Sequence, residues 1–167
     1  MLRLVPDIRE VTVLTRFFFV LVAGVMCARV AFAESPVLQF LNPDGLFRPS
    51  TFTQVVTARG GTTVYISGQT ARDAQSQIVG LGDLGAQSRR VFENLRIALA
   101  GAGAEFADVV KITTFVVNLQ PDDRLMIGEI VKHHFPPGRP AAHTLVGVQA
   151  LAVPELLIEI EAVAVVD

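Results

Sequence analysis

The sequence predicts an α+β fold in which two helices cover one face of a mixed β-sheet. Three observations support this prediction: several stretches are rich in β-branched residues, one segment repeats its apolar residues at helical spacing, and a second helical segment lies between prolines. The chain has 167 residues, of which 51% are apolar and 18% charged, so it can bury a hydrophobic core. We expect one domain over residues 34–167.

The first predicted elements are two strands, over residues 51–58 and 63–66. The first is mixed polar and apolar and ends at the turn signal Gly60-Gly61, and the second reads Thr-Val-Tyr-Ile. Two β-prone stretches across a short glycine break predict a β-hairpin.

Two helices follow. The first is predicted between positions 82 and 103, because apolar residues recur there at spacings of three and four and glycines mark the end. The second is predicted over residues 123–134, after a proline and carboxylates that can cap it, and the prolines at 136–140 end it. The apolar face of the first helix is formed by Leu84, Val91, Leu95, Ala98, Leu99 and Ala102.

Three more strands are predicted, over residues 109–119, 143–148 and 157–166, which gives the order β-β-α-β-α-β-β. In the last strand Glu159 and Glu161 share one face, while Ile158 and Ile160 lie on the other. The glutamate face also carries apolar residues, including Val163. A sheet face of this mixed character, covered by no helix, predicts contact with another subunit.

The first 33 residues are typical of a secretory signal peptide. An apolar run over residues 17–28 follows Arg16, and Ala31-Phe32-Ala33 supplies a cleavage site before Glu34. The run would span only about 18 Å as a helix, too short for a stable membrane anchor. We therefore expect a periplasmic or secreted protein, the alternative being a start codon placed upstream of a cytoplasmic one.

Composition excludes several kinds of function. The 14 Lys and Arg residues are outnumbered by 16 Asp and Glu residues, and no basic run is present, so nucleic acid is not an expected partner. A single cysteine, Cys27, allows neither an internal disulfide nor a cysteine-based zinc site. His133 and His134 are adjacent, a spacing that does not suit a metal pair on a helix. No metal and no cofactor are expected.

Three stretches together resemble the RidA/YjgF family of enamine and imine deaminases. They are Tyr-Ile-Ser-Gly-Gln at 65–69, Arg-Pro-Ala-Ala-His-Thr-Leu-Val-Gly-Val at 139–148 and Ile-Glu-Ile-Glu-Ala-Val-Ala at 158–164, and the resemblance covers residues 46–166. It implies a chorismate-mutase-like α+β sandwich that forms a homotrimer, with ligand clefts between neighbouring subunits. It also implies hydrolysis of small 2-imino or enamine acids to 2-keto acids and ammonia.

The resemblance also implies the residues of the site. Glu159 matches the glutamate that assists the attacking water, and Gly68 matches the glycine whose backbone contacts the ligand. Phe52 stands where the family has a cleft tyrosine, and Gly128 stands near the position of a helix asparagine. Thr144 and Leu145 follow in the strand that carries the family's carboxylate-binding arginine.

That arginine itself is absent. Counting back from residues 146–148 places His143 at its position, and counting forward from Pro140 places Ala142 there. A histidine with its ordinary pKa near 6.5 is partly protonated at pH 7 and could hold a carboxylate weakly, although it lacks the bidentate fork of an arginine. A purely structural histidine is the alternative, and Arg139 either reaches the cleft or lies in solvent.

Two functions follow from these residues. One is an imine hydrolase, weak or altered in specificity, in which Glu159 orients water and His143 replaces the arginine. The other is a trimer of the same fold that binds a small metabolite without turning it over. A protective envelope protein is a third reading, supported only by the expected location.

Overall fold

The computed structural model describes residues 35–167, so the predicted signal peptide lies outside the described residues. Six strands, two α-helices and a short 3-10 turn at Phe106–Asp108 make up this part of the chain. In chain order the elements are β1 (Val37–Leu41), β2 (Val55–Arg59), β3 (Thr62–Thr70), α1 (Leu84–Gly101), β4 (Val109–Val117), α2 (Pro121–His134), β5 (Ala142–Val148) and β6 (Ile158–Val166).

The main sheet has four strands in the order β3-β6-β4-β5, and its only parallel pair among the described strands is β4 with β5. A separate two-stranded sheet joins β1 to β2. Helix α1 packs on β3, β6 and α2. This arrangement confirms the predicted α+β fold with a mixed sheet and two helices.

The predicted hairpin is wrong. Strand β2 pairs with β1, with Val37 opposite Arg59, whereas β3 pairs with β6 in the other sheet. Gly60 and Gly61 both have positive φ, so the chain does turn there, but it turns from one sheet into the next. The prediction also missed β1, although Val-Leu-Gln-Phe-Leu followed by Asn-Pro-Asp-Gly carries a strand and a turn signal.

Strand β6 forms the centre of the core. Its side chains alternate as predicted: Ile158, Ile160 and Ala164 are fully buried, whereas Glu161 is exposed on the opposite face. The predicted face of helix α1 is confirmed at Val91, Leu95 and Leu99, which are buried, and is wrong at Ala102, which lies just past the helix end and is exposed. Among the described residues no helix is long and apolar enough to cross a membrane.

Helix α1 is tied to the start of β6 through a buried glutamine. The Nε2 of Gln87 donates to the Glu155 carbonyl at 2.9 Å, and its Oε1 accepts from the Leu157 amide at 2.8 Å. Gln87 is fully buried, so both backbone groups depend on this one side chain for a partner. The amide thus fixes where β6 enters the sheet.

We predict that Gln87→Leu lowers the free energy of unfolding by about 1–3 kcal/mol, because it leaves the half-buried Leu157 N–H and the Glu155 C=O without their partner. Urea denaturation at fixed protein concentration measures the loss. Ser88→Ala is the matched control, since that buried hydroxyl donates only within the helix, to the Leu84 carbonyl, and its removal should cost less than about 1 kcal/mol. Equal losses in the two variants would show that Gln87 has no special role.

Candidate functional site

A cavity of about 370 Å³ lies between helix α2, strand β5 and the segment before β2, and we call it the α2–β5 cavity. Five of the residues predicted for the site line its wall. The lining residues are Thr51, Phe52, Arg124, Ile127, Gly128, His143, Thr144 and Leu145. Segments that are far apart in the sequence therefore meet here.

The pairing of β5 with β4 explains why His143 and Leu145 reach this cavity. The parallel register sets His143 beside Ile112, which is buried under the helices, so His143 and Leu145 lie on the helix face of the sheet. The segment containing Phe52 is held alongside, because the Thr53 amide donates to the Ala141 carbonyl at 3.1 Å.

Gly128 brings the helix close to that segment. A Cβ atom added at Gly128 would lie 3.3 Å from Cγ2 of Thr51, tighter than ordinary van der Waals contact. A side chain at this position would narrow the cavity or push the wall outward. The missing side chain therefore keeps the cavity open where the resemblance expects an asparagine.

His143 is neutral at pH 7, which differs from the expectation drawn from its ordinary pKa. Burial disfavours the imidazolium, and the nearby Lys111 charge adds to the effect, so the pKa of His143 falls to about 4. Its Nε2 lies 2.9 Å from Oγ1 of Thr114, a buried hydroxyl. His143, one of the two residues that the sequence offers for the family's arginine position, therefore cannot supply positive charge to a ligand.

The cavity does contain a cation, which the sequence prediction missed. Arg124 lies in the first turn of α2 and is the only charged residue among the eight that line the cavity. A signal was available: Arg124 and Gly128 are four residues apart and so share one helix face. Arg139, in contrast, places its guanidinium 4.8 Å from the centre of the Phe40 ring and is absent from the cavity wall.

Glu159 and Gly68 form a second group. A Cβ atom added at Gly68 would overlap the Glu159 carboxylate, so a side chain at position 68 would displace that carboxylate from its place. The register between β3 and β6 shifts between Ile66 and Gln69, which marks an irregularity in the ladder at this point. The carboxylate thus lies directly over the backbone of Gly68.

The two groups lie apart within one chain. Glu159 belongs to β6 and contacts β3, whereas His143 belongs to β5, and β4 lies between β6 and β5. They also lie on opposite faces, because Glu159 shares the open face with Glu161 and His143 lies on the helix face. A single chain therefore contains two separate halves of the predicted site.

The helix histidines have structural contacts. His134 bonds to the Ile130 carbonyl through Nδ1 at 2.8 Å, and its ring stacks on Phe92 with centroids 4.6 Å apart. Within residues 35–167 no group of three His, Cys, Asp or Glu side chains could hold a metal ion.

Comparisons with known proteins place this chain in a family. The model of the family described as endoribonuclease L-PSP matches residues 48–166, which is well over half of the chain. A crystal structure of a Rid family protein of unknown function from Yersinia pestis is 41% identical, with a TM-score of 0.74, over 77% of this chain and 98% of that one. The chain belongs to the RidA/YjgF family.

Two relatives of this RidA/YjgF protein are named as deaminases. The 3-aminoacrylate deaminase RutC of Acinetobacter baylyi is 32% identical over 75% of this chain and 96% of its own length. The human 2-iminobutanoate/2-iminopropanoate deaminase is 34% identical over 62% of this chain and 72% of its own. The resemblance drawn from three short stretches is thus confirmed as family membership.

We predict that His143 makes this RidA/YjgF protein less stable in acid. The unfolded chain takes up a proton at His143 near pH 6.5 and the folded chain only near pH 4, so the unfolded state binds more protons between these values and stability falls as the pH drops. From pH 7 to pH 5 this histidine should cost about 1–2 kcal/mol of unfolding free energy.

Denaturant unfolding at the two pH values measures this cost in wild type, in His143→Gln and in the control His133→Gln, which alters an exposed imidazole. The His143 variant should lose that part of the pH dependence, and the control should keep it. If the unfolding free energy of His143→Gln fell between pH 7 and pH 5 as much as that of the wild type, burial of the neutral His143 would not be the cause of the acid sensitivity.

Proposed function

We propose that this protein hydrolyses small 2-imino or enamine acids to 2-keto acids and ammonia, weakly or with a specificity different from that of its relatives. Family membership and the similarity to two proteins named as deaminases support the proposal. The observation that carries it is the placement of the Glu159 carboxylate over Gly68, the two residues that match the family's water-assisting glutamate and ligand-contacting glycine.

The chemistry requires little from the protein. In a 2-imino acid the C=N carbon is already electrophilic, so water adds to it directly and gives a carbinolamine. Glu159 accepts a proton from the attacking water and passes it to the imine nitrogen, which completes the carbinolamine. It then moves the hydroxyl proton to the amino nitrogen, and ammonia leaves as the C=O bond forms. The site has to hold the substrate, orient the water and exclude other nucleophiles, and this step needs no cofactor.

We place the complete site between subunits of a homotrimer, since one chain holds its two halves apart. The open face of the sheet supports association: Tyr65 is 81% exposed there and pairs in register with Val163. On the same face Lys111 donates to the Thr144 hydroxyl, and burial lowers the pKa of Lys111, an effect that Glu161 opposes. A neighbour covering this face would bury the exposed apolar surface.

A trimer that binds a metabolite without turning it over is the second candidate. Two observations favour it: Phe52 supplies no hydroxyl to the cavity, and His143, one of the two candidates for the arginine position, is neutral at pH 7. Endoribonuclease activity is not proposed, because the chain has more acidic than basic residues and no basic run to hold a phosphate backbone.

The proposal is tested by generating 2-iminobutanoate in situ and trapping the surviving imine with semicarbazide, with and without the protein. We expect the wild type to accelerate imine loss, and we expect Glu159→Gln to reduce that acceleration by about 100-fold or more, because the amide cannot accept the water proton.

Glu161→Gln is the matched control, because Glu161 lies two residues along the same strand and face. It should keep the wild-type rate. An equal loss in both glutamate variants would show that Glu159 has no specific role, and a wild type without acceleration would leave metabolite binding as the function.

A further inference from the structure

The α2–β5 cavity has an unbalanced positive charge. Among the described residues that line it, Arg124 is the only charged one, since His143 is neutral at pH 7 and none of the others is a carboxylate. Within residues 35–167, none of the ion pairs includes Arg124. A guanidinium at the edge of a partly enclosed cavity attracts an anion, because the cavity walls replace part of the screening water.

None of the acidic residues near Arg124 in the described part of the chain is paired with it. The Asp123 carboxylate accepts from the Gln120 amide at 2.8 Å as part of the helix cap. Glu129 is paired with Lys132 at 2.6 Å. Asp122 is two residues from Arg124 on the helix, a spacing at which side chains do not face each other. The charge of Arg124 therefore remains available to a ligand.

Other cations are less well placed to hold an anion in this cavity. Arg139 stacks on Phe40. Lys111 contacts the Thr144 hydroxyl from the open face of the sheet and does not line the cavity. Lys111 nevertheless contacts Thr144, which lines the cavity. An experiment must therefore distinguish the contribution of Lys111 to anion binding from that of Arg124.

The rest of the cavity is suited to an apolar group. Phe52, Ile127 and Leu145 line it, and Ile127 is fully buried. A volume of about 370 Å³ exceeds what a two- or three-carbon acid needs. Beside it, an open groove shares Phe52, Arg124 and Gly128 and adds the exposed side chains of Phe47 and Leu125. The wall of this groove also contains the Glu129–Lys132 ion pair, so of the two spaces only the α2–β5 cavity has Arg124 as the single charged residue among its described lining residues.

We infer that Arg124 binds the carboxylate of the ligand and that the ligand is a monocarboxylate with a branched or otherwise bulky apolar side chain. The inference rests on the proposed function in taking the ligand to be a 2-imino acid and its 2-keto product. A guanidinium on helix α2 then provides the bidentate contact that strand β5 lacks. The apolar walls bind the side chain and favour it over that of a smaller acid.

The test measures binding by calorimetry, so that it does not depend on turnover. The probes are 4-methyl-2-oxopentanoate, its uncharged methyl ester and pyruvate. The proteins are the wild type, Arg124→Gln, Arg124→Lys, Lys111→Met and the control Arg96→Gln, which alters a surface arginine paired with Glu93 on α1. Circular dichroism melts check that the exposed Arg124 position tolerates substitution.

We expect Arg124→Gln to weaken binding of the branched keto acid by about 10- to 100-fold and to change binding of the ester by less than about twofold. Arg124→Lys should fall in between, because lysine keeps the charge without the fork. Arg96→Gln and Lys111→Met should bind the acid within about threefold of the wild type. Pyruvate should bind the wild type more weakly than the branched acid by about 10-fold or more.

Several results would overturn the inference. Wild-type affinity in Arg124→Gln, equal losses for acid and ester, or no binding of the acid by the wild type would each remove Arg124 as the anchor. A loss confined to Lys111→Met would assign the role to that lysine. If pyruvate bound as tightly as the branched acid, the inferred preference for a bulky apolar side chain would be wrong.

The imine assay separates this inference from the proposed function. If the wild type hydrolyses imines but binding of the branched keto acid does not depend on Arg124, the proposed function stands and the inference fails. If binding depends on Arg124 and no imine is hydrolysed, the inference stands and the function fails.

Discussion

The alternation of side chains along β6 is the constraint on which the rest of the structure depends. This strand is hydrogen-bonded on both sides, to β3 and to β4, and a shift by one residue would turn its buried isoleucines outward. The buried face holds helix α1 in place, and Gln87 fixes the point where the strand begins. The same alternation places Glu159 on the open face and over Gly68. The register of β6 therefore determines both the packing of the core and the position of the Glu159 carboxylate.

The chemistry of the site follows from where charge is buried. A histidine inserted under helix α2 loses its proton because the surroundings cannot solvate the imidazolium. A guanidinium at the helix surface keeps its charge and still faces the cavity. At this cavity the positive charge is therefore found on α2 and the neutral ring on β5.

The sequence predicted the elements whose burial is periodic. Leu95 and Leu99 marked the inner face of α1, and Ile158 and Ile160 marked that of β6, because apolar spacing reports directly on burial. The partner of β2 could not be predicted in the same way, since the β-propensity of residues 51–58 does not specify which strand they pair with.

The candidate site was predictable only in part. The resemblance supplied Phe52, Gly128 and His143, which do line one cavity. It did not supply Arg124, because the cavity forms where three distant segments meet and no local pattern records that contact. The neutral state of His143 also depends on tertiary burial, which the sequence around it does not report.

The central claim is that the α2–β5 cavity of one chain works with Glu159 of a neighbouring chain. Subunit mixing tests it most directly. Glu159→Gln has an intact cavity, and Gly128→Leu, which fills the cavity, has an intact carboxylate. Each variant alone should be inactive on 2-iminobutanoate. After the two are unfolded and refolded together in equal amounts, random trimers should recover about a quarter of the wild-type activity, because about one cleft in four then combines both intact halves. If the mixture is no more active than the separate variants, the site is not shared between chains.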